Sequence, residues 1–282
     1  MKTTIIGLGL IGGSIALDLR KKGLATTLLG IDRNEENASK ALELGLVDKI
    51  VSENDFLGQS DLVIISIPVN ATCALLPFML DAIGEKTVMI DTGSTKNLIC
   101  KSINSHPKRN QFVAAHPIAG TEFSGPTAAF HGLFDGKTNI ICEQEKSSAH
   151  ALAIADKVFK TLGLNTIFME PEEHDKHVAY VSHLSHVSSF LLGQTVLDIE
   201  KDEKNIFDLA GSGFASTVRL AKSSPDMWAP IFEQNAEYLS QALLEYIMHL
   251  QKFQYYLQKR DAKELHKIMM KANDIKRVLN RN

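Results

Sequence analysis

A few side chains in this sequence stand where they could do chemistry. His116 closes the run Ala114-Ala115-His116-Pro117-Ile118-Ala119-Gly120-Thr121-Glu122. Imidazole titrates near neutrality, which makes His116 the leading acid–base candidate; a strand-end histidine satisfied by backbone would read the same way. Ser94, in Asp91-Thr92-Gly93-Ser94-Thr95-Lys96, is either a small hydroxyl beside a reacting centre or the cap of the helix that follows. The two roles are compatible. Arg219 lies among small and apolar residues in Phe214-Ala215-Ser216-Thr217-Val218-Arg219-Leu220-Ala221-Lys222. It could clamp a carboxylate through two parallel N–H groups, although a solvated helical arginine has the same spacing. In Ser182-His183-Leu184-Ser185-His186 two imidazoles fall three residues apart, on one helical face. His174 and His177 lie upstream, but no spacing specifies a third or fourth ligand, so no metal is expected. Trp228 is the only tryptophan and reads as core before site.

The elements that must position these residues begin at the N-terminus. Lys2 to Ile6 is a short β-branched run, Gly7-Leu8-Gly9-Leu10-Ile11-Gly12 follows at once, and a helical pattern comes next. Strand, G-x-G-x-x-G turn and helix in that order make a dinucleotide-binding fingerprint. Gly7 permits the tight turn, Gly9 lets a pyrophosphate approach the backbone, and Gly12 lets the helix pack close to the strand. The helix start offers free N–H groups and a partial positive charge to phosphates. A second apolar run, Thr26 to Ile31, ends in Asp32, twenty residues after Gly12. An acid there accepts hydrogen bonds from ribose hydroxyls and repels a 2′-phosphate, so NAD is expected over NADP. Arg33 beside it works against that preference, because it could pair with the phosphate.

Further strands are expected at Val47–Val51, Asp61–Pro68, Thr87–Asp91, Gln111–Ala115, Thr138–Cys142 and Thr166–Met169, with helical stretches between them. Alternation of this kind predicts a doubly wound parallel sheet, a Rossmann fold. Ligands of such a sheet sit at the carboxyl ends of the strands. Ser66-Ile67-Pro68 would therefore lie beside the nucleotide, and Ser94 and His116 near the nicotinamide. After about Pro171 the strands stop. Residues 1–170 are read as the NAD-binding domain and 171–282 as an all-helical one. In the latter a stretch from Glu172 to Ile199 is broken only by Gly193, and a long helix runs from about Met227 to Gln258, with Pro230 in its first turn. Leu239, Leu243, Ile247 and Leu250 recur at helical spacing, which points to a homodimer interface, with packing inside the chain as the alternative.

Bulk properties set the outer bounds. The 282 residues are 44% hydrophobic and 22% charged with a net charge of −3, ordinary values for a globular chain. No basic block supports nucleic-acid binding, and no apolar run reaches the ~18 residues of a membrane span. Cys73, Cys100 and Cys142 are widely spaced and suggest no disulfide framework. That spacing and the absence of a signal peptide fit a cytoplasmic protein.

Taken in order, these motifs resemble the prephenate dehydrogenase family of tyrosine biosynthesis. The likeness runs from the glycine loop to Trp228. It is carried most specifically by His116–Glu122, Ser182–His186 and Arg219-Leu220-Ala221-Lys222-Ser223-Ser224-Pro225-Asp226-Met227-Trp228. The resemblance implies a Rossmann domain followed by a helical dimerisation domain. It implies NAD-dependent oxidative decarboxylation of prephenate, or of arogenate, which carries an amine for the keto group. It gives His116 the ring C4 hydroxyl, and Ser94 the same hydroxyl together with the orientation of the histidine. Arg219 would hold a substrate carboxylate, with His183 and His186 on the substrate side and Glu122 and Trp228 at the mouth of the pocket. Ser185 stands where the family often has proline, and Ser216 where it can have an acid able to pair with Arg219 or gate the pocket. No chorismate mutase segment is expected before the fingerprint, nor a regulatory domain after the helices. A β-hydroxyacid dehydrogenase would call for a lysine in the helical part, where this chain has histidines. A non-enzymatic NAD-binding protein would not need Ser94, His116 and Arg219 together.

Overall fold

A computed structural model describes residues 1–52, 59–201, 203 and 205–279. Eight strands, β1 (Lys2–Ile6), β2 (Thr27–Ile31), β3 (Lys49–Ile50), β4 (Leu62–Ile65), β5 (Val88–Asp91), β6 (Phe112–Pro117), β7 (Thr138–Cys142) and β8 (Asn165–Met169), form one sheet in the order β3-β2-β1-β4-β5-β6-β7-β8. The order reverses at β1/β4, the topological switch point where ligands of doubly wound sheets bind. Around the sheet lie α1 (Leu10–Lys21), α2 (Glu35–Glu43), α3 (Val69–Ala82), α4 (Asn97–Ser102) and α5 (Ala149–Leu162).

Each central strand is apolar on both faces, and successive residues go to opposite sides. Ile5, Ile64, Ile90 and Val113 join one buried cluster with Ile15 and Phe159 from the helices. Ile6, Ile65, Met89 and Phe112 join the other, with Leu76 and Ile99. This is the pattern of a sheet covered by helices on both faces. Pairing of Ile6 with Ile65, Ile65 with Asp91 and Asp91 with Ala114 brings four strand ends level. The glycine loop, Ser66–Pro68, Gly93–Lys96 and His116 therefore emerge along one edge.

Two strands depart from the expected all-parallel sheet: β7 runs antiparallel to β6, pairing His116 with Ile140 and Pro117 with Asn139, and β8 pairs parallel with β7. Residues 118–137 contain a single 3₁₀ turn, Pro126–Ala128, and no crossover helix. A return without a crossover can only be antiparallel.

Beyond β8 the chain is helical, and it differs from expectation at three places. The stretch expected to break at Gly193 instead comprises α6 (Pro171–Val178), a π turn (Ala179–His183) and an α7 (Leu184–Glu200) that passes through Gly193 unbroken. Two short pieces follow, α8 (Ser212–Thr217) and a 3₁₀ turn at Arg219–Lys222. The expected helix at 227–258 is two, α9 (Pro225–Gln234) and α10 (Ala236–Gln258). Between them Asn235 leaves helical geometry, with φ −108° and ψ 27°. Pro225, rather than Pro230, occupies the tolerant first turn.

The chain forms two compact units, Met1–Ala236 and Glu237–Asn282. In the first, Trp228 and Ile231 of α9 belong to one of the two sheet-face clusters. The second holds most of α10, then α11 (Ala262–Ala272), whose first turn is capped by Asp261 accepting from the Glu264 N–H at 3.1 Å, and α12 (Lys276–Leu279). Among the described residues no helix is long and apolar enough to cross a membrane.

Candidate active site

At the switch point the glycines do what the fingerprint requires. Gly7 has φ +91°, and a Cβ there would fall 2.3 Å from the Ser66 carbonyl oxygen and 2.9 Å from Ile67 Cγ2. A Cβ on Gly12 would fall 2.0 Å from the Gly7 carbonyl oxygen. Ser66 and Ile67 thus wall the turn, with the Ser66 N–H donating to the Ile6 carbonyl at 2.7 Å. The amides of the loop divide into two sets. Gly7 N–H donates to the Ile31 carbonyl at 2.8 Å, and Leu8 N–H donates to Asp32 Oδ2 at 2.9 Å. The first-turn amides of α1, those of Leu10, Ile11 and Gly12, have no intrahelical acceptor and are the ones left for phosphate. Gly9, at the helix cap, would place a Cβ no nearer than 4.0 Å to any other group, so a substrate-sized approach to its backbone is open. Asp32 Oδ1 accepts from Asn34 N–H at 2.9 Å. Both oxygens keep further lone pairs for ribose hydroxyls. Arg33 is exposed. These residues fit a dinucleotide.

Two strands along, a polar network fills the ends of β5 and β6. Lys96 and Asp91 are both 0% exposed and form an ion pair. Lys96 Nζ also donates to the Ala115 carbonyl at 2.7 Å. Asp91 Oδ1 accepts from Ala115 N–H, and its Oδ2 from Gly93 N–H, each at 3.0 Å. A cap for α4 was expected from Ser94 or its neighbour. It comes instead from α6: Asp175 Oδ1 accepts from Lys96 N–H at 2.8 Å and Oδ2 from Asn97 N–H at 2.9 Å. Thr95 donates its hydroxyl to Gln234 Oε1 at 2.7 Å. Ser94 is half-buried in the same loop, and among the described residues no hydrogen bond joins it to His116.

His116 bonds elsewhere. Its Nδ1 lies 2.8 Å from His174 Nε2, and His174 Nδ1 lies 2.7 Å from Asp175 Oδ1. His116 is 8% exposed and His174 0%. Burial, then the neighbouring His174, Lys96 and His183, push the His116 imidazole well below its ordinary range, so it is neutral at pH 7. His174 is lowered by burial against the opposing pull of Asp175.

The chain of contacts runs on through Asn235, which nothing in the sequence singled out, to the histidines of the helical half. Asn235 Nδ2 donates to the Asp175 carbonyl at 2.7 Å and lies 3.0 Å from His183 Nδ1. His183 closes the π turn at 1% exposure, and burial brings its pKa down to about 4. His186, on α7, stacks on Trp228 with ring centroids 3.5 Å apart, and its Nδ1 donates to the Ser182 carbonyl at 3.0 Å. The π turn thus sends His183 inward and His186 to the indole face. His183 Nε2 and Trp228 Nε1 are buried without a hydrogen-bond partner among the described residues. At the outer end Arg219 Nη1 pairs with Glu122 Oε2 at 2.6 Å. Arg219 therefore takes its acid from the loop after β6, since position 216 offers only a hydroxyl. Glu122's own backbone N–H, then Arg219, hold its carboxyl below the usual range. Of the residues expected from sequence, Ser94 and His116 lie at the ends of β5 and β6, Glu122 in the loop after β6, His183 on the π turn, His186 on α7, Arg219 on the 3₁₀ turn and Trp228 on α9. Lys96, His174, Asp175 and Asn235 are the additions. The signal for Lys96 was a lysine five residues after a strand ending in aspartate; for His174 and Asp175 there was none beyond their polarity.

Chains of known type are similar to this one. Residues 15–168 match the family model described as prephenate dehydrogenase, nucleotide-binding domain, and residues 170–271 the model of its dimerization domain. A prephenate dehydrogenase of Bacillus subtilis (strain 168) is 33% identical over 97% of this chain and 75% of its own length. The crystal structure of prephenate dehydrogenase from A. aeolicus, in complex with hydroxyphenyl propionate and NAD⁺, superposes with a TM-score of 0.87. It is 32% identical, covering 99% of this chain and 98% of that one. Synechocystis arogenate dehydrogenase gives a TM-score of 0.77 at 28% identity, covering 99% of this chain and 100% of that one.

Proposed function

The chain belongs to the prephenate dehydrogenase family, and we infer that it catalyses the NAD-dependent oxidative decarboxylation of prephenate to 4-hydroxyphenylpyruvate in tyrosine biosynthesis. The observation that carries the reading is a buried, neutral imidazole, His116, at the carboxyl end of β6 beside the dinucleotide crevice. NAD⁺, when bound, supplies the acceptor for the hydride that leaves ring carbon C4. The amides of Leu10, Ile11 and Gly12 would meet its pyrophosphate and Asp32 its ribose, with Ser66–Pro68 beside it. His116 takes the C4 hydroxyl proton as that hydride departs. Loss of the C1 carboxylate as CO₂ leaves its bonding pair to complete the aromatic ring. The proton then returns from His116 to what has become a phenolic oxygen. His116 thus ends each turnover as it began, and no net proton is consumed.

Ser94 sits beside the same hydroxyl. Arg219 holds a substrate carboxylate and with it the distance from C4 to the nicotinamide. His183 Nε2 and Trp228 Nε1, buried and without partners, suit polar groups of a ligand, because buried polar atoms are nearly always bonded. Within this reading residues 1–170 bind NAD⁺, and residues 171–282 contact substrate and dimerise. Exposed apolar side chains support a homodimer: Leu191 and Leu197 of α7, each at least half exposed, and Met248 and Leu250 of α10. A cytoplasmic location follows from the biosynthetic role.

Arogenate is the second reading, favoured by the likeness to the Synechocystis enzyme. The test is NADH formation from prephenate and from arogenate, repeated with His116→Asn. General-base catalysis contributes about 10²–10⁴-fold, so the variant should lose that much kcat and its acid limb with it. Near-normal kcat would remove His116 as the base.

A further inference from the structure

The contacts around His116 decide which of its two nitrogens carries the proton. Asp175 anchors the line of contacts. Its carboxylate accepts two backbone N–H groups, from Lys96 and Asn97. An ionised carboxylate has only lone pairs to offer, so the 2.7 Å contact with His174 requires the hydrogen to sit on His174 Nδ1. A neutral imidazole has one N–H, and burial keeps His174 neutral. His174 Nε2 is therefore a lone pair. His116 Nδ1 lies 2.8 Å from it and must be the donor, since the opposite assignment would set two lone pairs face to face. His116 then has its own lone pair on Nε2.

We propose that His174 and Asp175 are positioning residues that fix the tautomer of His116, holding its proton on Nδ1 and presenting Nε2 as the lone pair for the C4 hydroxyl. The proposal rests on the reading of His116 as the base. An unconstrained histidine favours the proton on Nε2, which would block that role. The other titratable groups around the ring act in the same direction. Lys96, in the loop after β5, and His183, on the π turn, both disfavour a second proton in the resting state. Lys96 is itself tied to Asp91 and to the Ala115 carbonyl. When the C4 hydroxyl proton arrives at Nε2, the Nδ1 proton stays within its bond to His174. Asp175 lies at the far end of that line and stabilises the transient positive charge, as a carboxylate does behind a general-base histidine. The proton on Nε2 later returns to the phenolic oxygen.

The experiment uses the full chain labelled with ¹⁵N-histidine. At neutral pH, His116 should show a protonated Nδ1 and an unprotonated Nε2, with His116→Asn giving the assignment. His174→Phe keeps a ring of similar volume without the acceptor. It should move the proton to Nε2 and lower kcat by about 10- to 100-fold, less than loss of His116 itself, with KM for prephenate little changed. His174→Gln places an amide oxygen near the position of Nε2 and should restore both the tautomer and most of kcat. A protonated Nε2 in the unmutated protein overturns the proposal, as does a drop in kcat with the tautomer unmoved, or an unaltered kcat in His174→Phe. If His174→Phe does not fold, the spectrum of the unmutated protein decides alone. The expected spectrum with no NADH formed from prephenate or arogenate would uphold the tautomer and overturn the function.

Discussion

Lys96 and Arg219 are both cations paired with a carboxylate, and they live in opposite surroundings. Lys96 and Asp91 are fully buried, and every polar contact they make is with the protein. Arg219 is 49% exposed, and its partner Glu122 comes from a loop outside the sheet. In the interior an ion pair is strong and its solvation loss is large, so it persists only when all its hydrogen bonds are made. At the rim water screens the charges and the pair exchanges readily. Under the proposed function, the dry end would fix the geometry of the ring that moves a proton, and the wet end would keep a guanidinium available to a carboxylate that must arrive and leave.

The largest effect that separates the two belongs to the buried pair. Lys96→Met should strand the Asp91 charge and cost on the order of 3–5 kcal/mol of stability, measured by urea unfolding. A loss below about 1 kcal/mol, the range of surface pairs, would erase the distinction.

Acid stability sharpens the same contrast. His183 is held neutral in the fold, with its pKa near 4 against an ordinary 6.5. Between those values the unfolded chain binds a proton that the native chain does not, so stability falls as pH drops from 6.5 to 4. His183 alone accounts for roughly 3 kcal/mol of that fall, and burial of His116 and His174 adds to it. His183→Gln should flatten the stability–pH curve over this interval. A curve parallel to that of the unmutated protein would mean that His183 is already protonated or open to water.

The same contrast governs what could be read without coordinates. Periodicity located the sheet, because strands buried on both faces leave long apolar runs such as Leu62–Ile65. The direction of β7 was there to be read in the missing crossover helix before Thr138, a signal of connection rather than composition. The exposed end of the site was legible as well, since Arg219 among small residues stands out in a local window. The buried end was not. Pro171–Val178 reads as a solvated, charged helix, yet His174 and Asp175 are buried. Their burial comes from docking on the start of α4, 78 and 79 residues earlier in the chain for Asn97 and Lys96. No local pattern encodes such a contact. The helix break at Asn235 has the same origin, in an amide that bonds to Asp175 and His183.

Arg219→Gln gives the smallest effect on the fold and tests whether the two ends do separate work. Removing a half-exposed ion pair should change stability by less than about 1 kcal/mol. A hydrogen bond to a charged group contributes about 1.5–3 kcal/mol, so KM for prephenate should rise by roughly 10- to 100-fold. That contact is present in the ground and transition states alike, so kcat should change little. Salt supplies the control. In the unmutated protein KM should climb with ionic strength, because charges at the rim are screened over about 8 Å at physiological salt. In Arg219→Gln the climb should be much shallower, while the kcat–pH profile set by His116 stays where it was. A variant whose kcat falls as far as its KM rises would show that Arg219 also shapes the reacting geometry. The wet end would then be part of the proton-transfer machinery, and the division between capture at the rim and chemistry in the interior would fail.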